Sequence, residues 1–280
     1  MESDPSHPRP PHPSGLTARF AALVRKGPAP LPLDEVCTVA AAHFAVGADA
    51  DGTDLVAVRA GLDDLAKGVG VRTVEGVVAH LVELGLGGDP SDYASPAASF
   101  LPDVVRRRRG LPILLAVVAV EVGRRVGVEA HIVGMPGHVL VSDGALPPVQ
   151  LADPFHRRSH LSPADAQTLY QQVHGQSAPW DDGHLRAIGP RAVVARILAN
   201  LANRYRADSR HRDEAVALGL RSLVPGVPVA EKGTLAAALA RSGAFDRAAD
   251  ELESLADAGG AGMDPDALRG KADRWRARLN

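Results

Sequence analysis

The chain has 280 residues, 45% of them hydrophobic and 23% charged, which is globular composition and excludes a wholly disordered chain. Lys and Arg total 31 against 33 Asp and Glu, and the resulting formal charge of -2 lacks the basic excess of a dedicated nucleic-acid binder. One cysteine, Cys37, excludes an internal disulfide framework and a zinc site built on several thiolates.

Residues 1–15 read MESDPSHPRPPHPSG, a proline-rich run expected to be a disordered tail, with His7 and His12 solvated. Residues 16–88 read as a helical N-terminal layer. Asp34 is placed to cap a helix carrying Val36, Val39, Ala40 and Phe44 at helical spacing, and Leu62, Leu65 and Val69 continue the pattern. Thr73 is placed to cap a further helix carrying Val77, Val78, Leu81 and Leu84, stopped by Gly85. Cys37 lies in an apolar stripe and reads as a small buried hydrophobe.

Residues 89–185 change character. Ser99-Phe100-Leu101-Pro102 opens a short helix that ends in Arg106 to Arg109, with Gly110 as its stop. Leu111-Pro112 then starts a strongly apolar helix over 113–126. Three strand-like segments follow, at 128–133, 138–141 and 149–152, separated by Gly134-Met135-Pro136-Gly137 and by the turn at 144–148. Ser162-Pro163 with Asp165 opens another helix through Leu169 and Val173.

Residues 190–280 return to helical spacing, over 192–205, 213–223, 231–241, 245–256 and 265–279. Residues 242–248 resemble the turn and second-helix start of a tetratricopeptide repeat, and the two helix pairs are offset by about the repeat length of 34 residues. His211 and Arg212 make the first pair the poorer match. This extension is expected to dock on the middle region and to offer a surface to a protein partner. No run approaches the length of a membrane span, and the first residues lack a signal peptide's basic start and apolar block. A cytoplasmic location is the default expectation, and no oligomeric state follows from the sequence.

Chemistry concentrates in the middle region. His138 and Asp153 each lie on or at the end of a strand-like segment, and a carboxylate beside an imidazole fixes its tautomer and stabilises the protonated ring. Two readings stand: a catalytic base with its orienter, or a structural pair organising the sheet. Arg106 to Arg109 suit a helix C-terminus through the macrodipole. The alternative is that one or two of them pair with Asp153 or with an anionic partner, Arg107 and Arg109 being the binding candidates. His156 and His160, with Asp153 and His138, are metal-ligating types. Their loop setting and the neighbouring Arg157 and Arg158 oppose a cation, so no metal and no cofactor is expected.

Phe100-Leu101-Pro102-Asp103-Val104-Val105, Arg107-Arg108-Arg109-Gly110-Leu111-Pro112, Pro136-Gly137-His138-Val139-Leu140 and Asp153-Pro154-Phe155, in that order, resemble the SirB-type transglutaminase-like family. The resemblance spans roughly residues 90–175. It implies an α+β class, with a transglutaminase-like, papain-type core between the helical N-terminal layer and the helical-repeat C-terminal extension. Active relatives of that fold place a Cys at the start of the central helix, with a His and an Asp following, whereas many SirB-type sequences show proline at the Cys position. Pro112 stands at the Cys position, and Leu114-Leu115-Ala116 offers no hydroxyl in its place. Val139 stands where the family often has Phe, and His156-Arg157-Arg158 where it often has glycines. The expected function is a non-catalytic binding or regulatory module. The alternatives are a hydrolase or acyl transferase using His138 and Asp153 with water or a non-cysteine nucleophile, and a protein-interaction scaffold.

Overall fold

Among the described residues, four helices, α1 (Ser14–Arg25), α2 (Leu33–Ala42), α3 (Thr53–Ala66) and α4 (Val74–Glu83), precede the central part of the chain. The computed structural model describes residues 14–27, 31–44, 53–259 and 264–279. The proline-rich segment with His7 and His12 lies outside the described residues, except that Ser14 and Gly15 already belong to α1. Thr73 caps α4 by accepting from the Gly76 amide at 3.0 Å, and Gly85, at φ +89°, turns the chain out of it.

Asp34 does not cap α2. Pro32 holds the N-cap position, and Asp34 sits within the first turn, buried. Its carboxylate meets Arg59 at 3.2 Å, Arg125 at 3.4 Å and Arg124 at 3.8 Å, so it ties helices together instead of ending one.

Two short 3₁₀ turns lead into α5 (Leu101–Arg107). The stop is not Gly110: Arg108 adopts the left-handed cap at φ 55° and donates to the Leu84 carbonyl at 2.7 Å. Gly110 is small for a packing reason, because a Cβ there would lie 2.5 Å from Val104 Cγ2.

The apolar helix α6 (Pro112–Arg125) is buried on nearly every side, as its near-continuous hydrophobic run requires. It packs against β1 (His131–Val133) and β2 (Leu140–Ser142), which join β3 (Leu151–Ala152) in an antiparallel sheet ordered β1-β2-β3. Ile132 pairs with Val141, and Val141 with Ala152. These three enter the main core with α6, whereas Val133, Leu140 and Leu151 enter a second core with Leu161, Tyr170 and Leu185. The sheet is therefore buried on both faces by the two-residue period of its strands. Helix α7 (Pro163–His174), capped by Ser162 and Asp165, supplies part of the second face.

The strands are shorter than their alternating patterns. The Val128 amide is still held by the Gly123 carbonyl at 2.9 Å, so the first strand starts later. His138 lies in a turn ahead of β2, its amide bonded to the Met135 carbonyl at 3.0 Å with Gly137 at φ +76°.

Helices α8 (Pro190–Ala207), α9 (His211–Ser222), α10 (Lys232–Arg241), α11 (Phe245–Ala258) and α12 (Pro265–Arg276) pack each on the next. Helix α8 also packs on α2 and α6, and the main core continues from α6 into α8, α9 and α10. Among the described residues, the helices with a small three-stranded antiparallel sheet are consistent with the α+β class. No described helix is long and apolar enough to cross a membrane.

Candidate functional site

Asp153 follows β3 directly and is completely buried. Its backbone is locked to Arg158 by two hydrogen bonds, of 2.7 Å from its own amide and 3.0 Å from the Arg158 amide. This closes a tight loop in which Arg157 takes a left-handed conformation. The carboxylate Oδ2 lies 2.7 Å from His138 Nε2. It also lies 2.6 Å from His156 Nδ1, and Oδ1 accepts from the His156 amide at 3.1 Å. The two imidazoles lie nearly parallel, 22° apart with centroids separated by 5.1 Å.

Burial alone would raise the Asp153 pKa. The hydrogen bond and charge of His138, and the ring and amide bonds of His156, outweigh it and hold the carboxyl below its ordinary value. At neutral pH Asp153 is an anion, so each imidazole turns an N–H toward it. With Nε2 committed to Asp153, His138 retains Nδ1 for proton exchange. His138 is itself buried, and its carbonyl accepts from Arg196 Nη2 at 3.1 Å, which fixes the turn onto α8.

Pro112 occupies the first position of α6 and is buried, followed by buried Ile113, Leu114, Leu115 and Ala116. No thiol or hydroxyl stands in that turn. Cys37 lies in α2, and burial, then the charges of Glu121 and Asp34, push its thiol far up. It is protonated throughout the neutral range and is no nucleophile.

The arginines do not meet Asp153. Arg106 pairs with Asp103 at 2.6 Å, Arg107 donates to Ser95 Oγ at 3.4 Å, and Arg109 lies 3.4 Å from Asp92 and 3.7 Å from Asp89. The Asp153 carboxylate, one of the alternative partners the sequence offers them, is already filled by two imidazoles and an amide. His160 is also elsewhere, with Nδ1 2.7 Å from Glu75.

Sequence reasoning grouped His156 with His160, Asp153 and His138 only as metal-ligating types and missed its bond to the Asp153 carboxylate. The signal was local: Asp153-Pro154-Phe155-His156 is a turn-forming run that folds residue 156 back onto the carboxylate. Tyr93 was also missed. Its ring meets Phe155 edge-on at 5.7 Å, and burial, then the Asp153 charge, raise its hydroxyl pKa against an opposing pull from Arg196.

Residues 56–199 match the family model described as "Transglutaminase-like superfamily". A UPF0162 protein of Xylella fastidiosa strain 9a5c is 36% identical over 160 residues, covering 53% of this chain and 54% of the relative. The UPF0162 protein of strain Temecula1 / ATCC 700964 is 36% identical over 159 residues, with the same 53% and 54% coverage. The UPF0162 protein PA3419 of Pseudomonas aeruginosa is 29% identical over 145 residues, covering 51% of this chain and 52% of the relative. The chain spans about half the length of the curated relatives it matches.

Proposed function

The chain belongs to the transglutaminase-like superfamily, and from that premise we propose that it is a non-catalytic binding or regulatory module. Within the superfamily we assign it to the SirB type, with a papain-type core over 89–185 and a tetratricopeptide-like extension over 190–280. The observation that carries the reading is Pro112 at the first turn of α6. Active relatives of the fold place a cysteine there, where a helix N-terminus favours the thiolate. Proline fits that turn sterically and has no nucleophilic atom. The helical extension is the surface we assign to a protein partner in the cytoplasm, with no nucleic acid and no organic cofactor. Of the two arginines read as binding residues, Arg107 is the better placed, since Arg109 is engaged by Asp92 and Asp89.

A second reading is favoured by the 2.7 Å contact between His138 and Asp153. That pair has the chemistry to activate water or an incoming alcohol for hydrolysis or acyl transfer. The two readings separate in ester-hydrolysis and amine-transfer assays of the full chain beside His138→Ala. A non-catalytic module gives equal background rates in both. Turnover that disappears with His138 establishes the hydrolase or transferase instead.

A further inference from the structure

We propose that His138, Asp153 and His156 form a binding site for a divalent cation of the zinc type. Their ligand atoms all lie within 4.8 Å of one another, and two imidazole nitrogens converge on the same carboxylate oxygen, at 2.7 Å and 2.6 Å. Nitrogen and carboxylate donors of this kind suit zinc and its neighbours. A tetrahedral cation about 2.1 Å from each donor sets the donors about 3.4 Å apart. The contacts of 2.7 Å and 2.6 Å therefore open by about 0.7 to 0.8 Å on binding, through side-chain rotation.

The backbone holds this tripod in place. Asp153 is fixed by its paired bonds with Arg158, His138 by its turn and by Arg196, and His156 by its amide on Asp153 Oδ1. Two ligands are buried, and the third, with 48% of its side chain exposed, gives the cation a way in from solvent. The adjacent positive charges are turned away. Arg158 pairs with Asp165 at 2.9 Å, and the Arg157 side chain lies over Gly87, within the field of Asp89.

The third ligand belongs to this chain in particular, because His156 opens the His-Arg-Arg run that stands where the resemblance has glycines. Binding moves each ring proton to the other nitrogen, to Nδ1 of His138 and Nε2 of His156, so two neutral imidazoles release no proton. Three protein ligands leave a tetrahedral cation one position for water or a bound partner. The site does not depend on whether His138 serves any turnover.

The test uses the untagged full chain carrying His7→Ala and His12→Ala, which removes the histidines of the N-terminal segment. Zinc is titrated by calorimetry, and cobalt by its visible d–d absorption. The expected result is one saturable site whose affinity falls by at least about tenfold in His156→Ala, since even outer partners of a metal site cost that much. His160→Ala is expected to bind as the parent does. His156 is exposed enough that its replacement leaves the fold standing, which a thermal melt verifies. Absence of saturable binding, or equal binding in the His156→Ala protein, overturns the proposal.

Discussion

The Gly88 amide donates to the Phe155 carbonyl at 2.9 Å, and the Phe155 ring fills the space a side chain at residue 88 would need. A Cβ there would lie 1.9 Å from Phe155 Cδ2. The segment after α4 thus seats the loop that carries His156, whose ring meets Phe155 edge-on at 5.0 Å. Gly88→Ala is expected to push Phe155 out of place and to destabilise the fold by about 1–3 kcal/mol. Urea denaturation measures this, and a loss under about 0.5 kcal/mol, the range of a neutral surface change, contradicts the packing described.

The elements were legible in the sequence where a helical stripe was long and its cap unambiguous, as with Thr73 and with Ser162-Pro163. Chain geometry hid the rest. The strands lost residues to the end of α6 and to the turn before β2, so His138 left the strand it was read on. Asp34 has the chemistry of a cap, but Pro32 took that position and arginines from α3 and α6 claimed the carboxylate. At the site, the order of His138 and Asp153 was visible, whereas the sharing of one oxygen by His138 and His156 depends on a loop closed by Arg158.

Asp153 makes the stability depend on acid. Its carboxyl is lowered in the folded chain, so its contribution is fully present above the ordinary aspartate pKa of about 3.9. That contribution is lost as pH falls from there through the lowered folded value. Chemical denaturation from pH 7 down to about pH 2 is expected to show this loss, with a shallower decline in Asp153→Asn, which has no proton to gain. Parallel curves for the two proteins across that range mean that Asp153 is not lowered.

Glu214 pins the helical extension. Its buried carboxylate is 2.7 Å from both Arg206 on α8 and Arg241 on α10, and 3.3 Å from His211. The arginines are partly exposed, which reduces what each pair contributes. Glu214→Ala removes all three bonds at once and is expected to cost about 1–3 kcal/mol. The same substitution at Glu253, which lies nearer the surface, is expected to cost less. Equal costs in urea unfolding count against the pinning role.

Cys37 is expected to react with a thiol reagent only when the chain unfolds. Its thiol is buried in α2 and held protonated by burial and by Glu121 and Asp34. The labelling rate is therefore expected to follow the denaturant dependence of unfolding. Rapid, pH-dependent labelling of the native protein at neutral pH contradicts this.

The most direct measurement is the pH dependence of alkylation in Pro112→Cys, with and without His138→Ala. The proposal is that the site keeps its base and orienter and has lost the nucleophile. Replacing Pro112, which opens α6, supplies that atom at a helix N-terminus. The substitution itself is expected to cost about 1 kcal/mol or less, through freedom gained by the unfolded chain. Buried Cys37 serves as the slow internal reference. The expected result is a new thiol with a pKa below the usual value of about 8.5, moving back toward it when His138 is removed. An ordinary pKa in both variants contradicts the claim and leaves His138 and Asp153 as a structural pair.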